Sequence, residues 1–106
     1  MSIQVKDNSI KIHGIAPELL FGLIVADQVY TEIGVDLVVT SLNDGRHSST
    51  SLHYSGAAAD LRTRNIPAGI DPKDVAADIK ERLGIDFDVI CESDHIHLEY
   101  QPRRRA

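Results

Sequence analysis

The chain has 106 residues, a formal net charge of −5, 42% hydrophobic and 25% charged residues, which fits one globular domain spanning residues 1–106. The acidic balance argues against a broad phosphate-binding surface and so against nucleic acid as a partner. The single cysteine excludes an internal disulfide, and no apolar run approaches the roughly 20 residues that span a bilayer, so no membrane role is expected.

Ile3 and Val5, a turn signal at Asp7-Asn8-Ser9, then Ile10 and Ile12 predict a small hairpin or an edge strand. Pro17 and Glu18 open a first helix, in which Leu20, Leu23 and Ile24 lie opposite Asp27 and Thr31, and Gly34 stops it near Ile33. Val35 to Thr40 reads as a buried strand because β-branched residues dominate a short apolar run. Residues 41–56 are rich in Ser, Gly and Asn and read as a loop. Ala57 to Arg62 forms the next strand, with Ala58, Asp60 and Arg62 sharing one face.

A second loop at residues 65–69 leads to a helix capped by Asp71, with Pro72 at its first position and Asp74 at its third. Val75, Ile79 and Leu83 form its core stripe and Gly84 ends it. Phe87 to Glu92 and His95 to Tyr100 then pair as strands about a turn at Ser93-Asp94. The order of elements predicts an α+β fold, two main helices layered on a mainly antiparallel sheet. Cys91 reads as a small buried apolar group, His13 as a surface residue and Arg103 to Arg105 as a solvated tail.

Four of the five histidines, His47, His53, His95 and His97, fall in two separated segments. A catalytic zinc ion takes three protein ligands from His, Asp, Glu or Cys and leaves a position for water. His53 and Asp60, with six residues between them, place one candidate at a loop end and the other on the following strand. His95 and His97 lie two apart on a strand and so share a face. A two-residue turn at Ser93-Asp94 sets Glu92 directly across from His95, so that Glu92, His95 and His97 project together, with Asp94 at the turn. Such a polar face needs partners if it is covered, and a divalent ion supplies them.

Ser51-Leu52-His53-Tyr54-Ser55-Gly56-Ala57-Ala58-Ala59-Asp60-Leu61, with Asp94-His95-Ile96-His97, resembles the zinc D-Ala-D-Ala carboxypeptidase family, which includes phage L-alanyl-D-glutamate endopeptidases. Asp44 to Ser48 and Ser51 to Tyr54 are similar to segments of the hedgehog signalling domain. The matching segments cover about a third of the chain. The resemblance implies Zn²⁺ as cofactor, held by His53, Asp60 and His97. It makes His95 a non-ligand imidazole that donates to the transition state, and His47 a second histidine near the metal. The carboxypeptidase form points to Asp94 as the base. The hedgehog pattern points to Glu92, and the hairpin register also favours Glu92. Arg46 is the candidate for the substrate carboxylate, and Tyr54, beside His53, is a candidate substrate contact.

The implied activity is hydrolysis of a peptide bond in bacterial peptidoglycan, with a stem peptide or another peptide as the partner. The bond cleaved, carboxypeptidase or endopeptidase action, and the oligomeric state stay open. Residues 1–20 carry no secretory signal pattern, so a cytoplasmic or phage-encoded protein released by another protein is the expectation. Two alternatives are a non-catalytic, zinc-binding hedgehog-like binding domain and a phage structural or assembly component.

Overall fold

A computed structural model describes residues 2–10, 15–43 and 58–102. The elements are β1 (Ile3–Val5), α1 (Pro17–Glu32), β2 (Leu37–Asn43), β3 (Ala58–Arg62), α2 (Pro72–Leu83), β4 (Phe87–Cys91) and β5 (His95–Tyr100). The five strands form one sheet in the order β1-β2-β3-β5-β4, with β1 parallel to β2 and every other pair antiparallel. This is the α+β, mainly antiparallel arrangement predicted from the sequence. Among the described residues no helix is long and apolar enough to cross a membrane.

Pro17 opens α1, and Gly34, at φ +85°, ends it in a conformation that L side chains rarely adopt. The buried stripe of α1 is Leu19, Leu23, Ala26, Val29 and Tyr30. The sequence reading assigned Leu20 and Ile24 to the inner side, yet they are 47% and 46% exposed. Two adjacent apolar stripes compete on this helix, and Gly22 decides between them. A Cβ there would stand 3.0 Å from Phe87 Cε2 and 3.3 Å from Leu98 Cδ2, so α1 sits on β4 and β5 at backbone distance.

In α2 the Asp71 carboxylate accepts from the Lys73 N–H at 2.9 Å, a side-chain cap for an otherwise unpaired helix donor. Val75, Ala76 and Ile79 are buried, and Leu83 packs at the margin of the core. Helix α2 packs against α1 and β4, and α1 against β1, β2 and β5. The core therefore lies between the helices and Leu37, Val39, Ala59, Leu61, Phe87, Ile96 and Leu98 of the sheet.

Strand β1 is an edge strand, followed by a turn in which Asp7 Oδ1 accepts from the Ser9 N–H at 2.8 Å. Strand β2 differs from its predicted span: it starts two residues later, at Leu37, and runs on through Asn43 instead of yielding to a loop at Ser41. Leu42 packs against the core and Ser41 is exposed, so strand alternation continues into a segment whose composition reads as loop. A register shift between Val39 and Ser41 bends β2 beside Asp60.

Candidate functional site

Alternation along β3, β4 and β5 sends Leu61, Ile96 and Leu98 into the core and leaves polar side chains on the face away from the helices. That face is ordered in rows. Arg62, His95 and Glu92 form one row, Ser41, Asp60, His97 and Ile90 the next, and Ala58, Glu99 and Asp88 the third. The hairpin register is the one read from the sequence: the Glu92 N–H donates to the His95 carbonyl at 2.8 Å across a turn at Ser93-Asp94.

Asp60 and His97, 37 residues apart in the chain, meet here, with Asp60 Oδ1 at 3.0 Å from His97 Nδ1. The same oxygen is 3.6 Å from His95 Nε2. His97 Nε2 in turn lies 2.8 Å from Glu99 Oε1, and the Gln101 side-chain amide donates to the other Glu99 oxygen. Burial disfavours the charged imidazole of His97, but hydrogen bonds to Glu99 and Asp60 outweigh it and hold its pKa above the ordinary histidine value. His95 Nδ1 is 2.6 Å from Asp94 Oδ1, and this contact lowers the Asp94 carboxyl below its usual range. Asp94 is thus engaged with His95 at the turn. The Glu92 side chain is exposed, and among the described residues no hydrogen bond or ion pair engages its carboxylate.

A groove of about 780 Å³ runs beside these groups, lined by Lys6, Thr40, Ser41, Asp60, Arg62, Arg64, Asp94 and His95. Its three cations are distinct from Lys80 and Arg82. Lys80 caps the carbonyls of Gly84 and Phe87, and Arg82 pairs with Glu32 and Asp78. The structure therefore links Asp60, Asp94, His95 and His97 through side-chain contacts and sets Glu92 across from His95 in the hairpin. His47, His53, Arg46 and Tyr54 lie outside the described residues, as do His13 and Arg103 to Arg105. Cys91, read as buried, is only partly so, at the edge of the sheet.

Glu99, Arg62 and Arg64 were given no role from the sequence. Glu99 had a signal, because it continues the His95, His97 alternation by one further step. Arg62 had the same kind of signal, two residues beyond Asp60. Arg64 follows directly after β3, in a turn where strand alternation no longer assigns a face, and Lys6 reaches the groove only through the pairing of distant strands.

The donors on this face fit two ligands of a zinc site. With bonds of about 2.0 Å, tetrahedral ligand atoms stand roughly 3.3 Å apart, and Asp60 Oδ1 and His97 Nδ1 are 3.0 Å apart. Among the described residues no group of three His, Cys, Asp or Glu side chains is arranged to hold a metal ion. The third ligand implied by the resemblance, His53, is outside them. Comparison with known families, curated proteins and solved structures returned no match.

Proposed function

We propose that the chain is a zinc-dependent peptidase acting on a peptide bond of bacterial peptidoglycan, with His53, Asp60 and His97 as the metal ligands. The observation that carries this reading is the approach of Asp60 Oδ1 to His97 Nδ1 at 3.0 Å, between residues that the sequence motif had already paired as ligands. A bound zinc ion would supply a water acidified to a pKa of about 7 and a Lewis acid for the substrate carbonyl.

The chain's own residues do the rest. Glu92 accepts a proton from water and returns it to the leaving amine. It is the better base of the two carboxylates, because Asp94 is committed to His95. Held at Nδ1 by Asp94, His95 presents Nε2 on the Asp60 side of the groove as the donor. A developing oxyanion is the partner such a donor serves. Lys6, Arg62 and Arg64 along the groove give a peptide carboxylate a place to bind, in addition to the Arg46 that the resemblance indicates.

The test is incubation with purified muropeptides and zinc, with and without a chelator. Chelator-sensitive cleavage that is lost in Glu92→Gln and retained in Asp94→Asn at reduced rate supports the reading. Absence of cleavage with any divalent metal contradicts it.

A further inference from the structure

We propose that Glu99 is a positioning residue for His97: its carboxylate takes the Nε2–H of the imidazole and so leaves Nδ1, on the Asp60 side, as the nitrogen that faces a bound metal. This inference rests on the reading of Asp60 and His97 as ligands. An imidazole has two nitrogens, and only an unprotonated one can ligate. In this site each nitrogen has a distinct neighbour: Asp60 Oδ1 at 3.0 Å on one side and Glu99 Oε1 at 2.8 Å on the other.

Glu99 is itself held. Its side chain is 23% exposed, less than the 31% of His97. Gln101 donates to its second oxygen, and the Gln101 N–H is anchored on the Asp86 carbonyl at 2.7 Å, beside β4. The residue across from Glu99 on β3 is Ala58, whose methyl group competes for neither carboxylate oxygen. A carboxylate on the far nitrogen of a ligating histidine fixes the ring's tautomer and orientation and raises its basicity. Reaching back two residues along an extended strand takes the full length of a glutamate; aspartate is one methylene shorter.

The experiment measures zinc affinity by competition with a chromophoric chelator for the wild-type chain, Glu99→Gln, Glu99→Leu and Gln101→Leu. It is paired with imidazole ¹⁵N spectra of the ¹¹³Cd-loaded wild type. Glu99→Leu is expected to weaken zinc binding ~10–100-fold. Glu99→Gln, which keeps an acceptor oxygen, and Gln101→Leu, which removes one hydrogen bond to Glu99, are expected to lose less. Cadmium coupling should appear at His97 Nδ1, with Nε2 protonated. Affinity within twofold of wild type in Glu99→Leu overturns the proposal, as does coupling at Nε2. If Glu99→Leu does not fold, unchanged affinity in both other variants overturns it. A wild-type chain that binds no zinc overturns the ligand reading itself, whereas tight wild-type binding that Glu99 does not influence removes only this inference.

Discussion

Asp60 is the side chain on which both histidines of β5 converge, within 3.0 Å of His97 and 3.6 Å of His95. The two imidazoles differ in what lies behind them. His97 is backed by Glu99 and His95 by Asp94; in the proposed function the first ligates and the second donates. His95→Ala is therefore expected to lower kcat by ~10²-fold or more, the usual scale for losing one oxyanion donor, while zinc affinity stays within a fewfold of wild type. Steady-state kinetics and a chelator competition on the same preparation check this pair.

His97 also makes stability depend on pH. Its pKa is raised in the folded chain, so in the metal-free protein its contribution is fully present below the unfolded value near 6.5 and is lost as pH rises through the folded value. Zinc bound as proposed would reverse the trend, because ligation requires the neutral ring and metal competes with protons. Melting curves from acid to alkaline pH should thus fall with pH in chelator and hold or rise in zinc, and His97→Gln should flatten both.

At the scale of elements, the site depends on how α1 and β3 are held to the sheet. Tyr30, fully buried in α1, donates its hydroxyl to the Arg62 carbonyl at 2.8 Å, which ties the helix to the C-terminal end of β3, two residues from Asp60. Tyr30→Phe leaves that bond unmade and is expected to cost about 1 kcal/mol in denaturant unfolding. Gly22 is the tighter constraint, because Phe87 and Leu98 occupy the space of any side chain there. Gly22→Val is expected to cost ~1–3 kcal/mol through overpacking, although valine is the better helix former.

The legible parts of the fold were those governed by local chemistry. Asp71, Pro72 and Gly84 marked α2 because a side-chain cap, a fixed φ and a positive φ are properties of single residues. The inner face of α1 was misread at Leu20 and Ile24, since helical spacing alone fits two stripes and the choice lies in contacts with Phe87 and Leu98, far away in the chain. The extension of β2 past Ser41 was missed for the same reason: its ladder partner is β3, and composition carries no trace of pairing.

For the whole molecule, the candidate site is a product of sheet order. Placing β5 between β3 and β4 joins a carboxylate and two imidazoles that sequence distance keeps apart. His95, His97 and Glu92 were legible as one face because a hairpin is local, and Asp60 joined them through the motif. Glu99 needed only one further step of alternation. The cationic side of the groove was not legible, because Lys6 comes to it from β1 through two strand pairings.

A metal held between distant strands, as proposed, would also couple binding to folding. At free zinc a thousandfold above its dissociation constant, the stabilisation is ~4 kcal/mol, which in a domain of this size raises Tm by on the order of 15 °C or more. Chelation should remove that increment in the wild-type chain, and Asp60→Ala or His53→Ala should show little of it to begin with.

The most direct measurement is zinc-edge X-ray absorption on protein loaded with one equivalent of metal. One zinc per chain is expected, in a nitrogen and oxygen shell near ~2.0 Å that includes two imidazoles and no sulfur. A well-folded chain that retains no zinc after supplementation, or a shell without imidazole, would contradict the ligand reading.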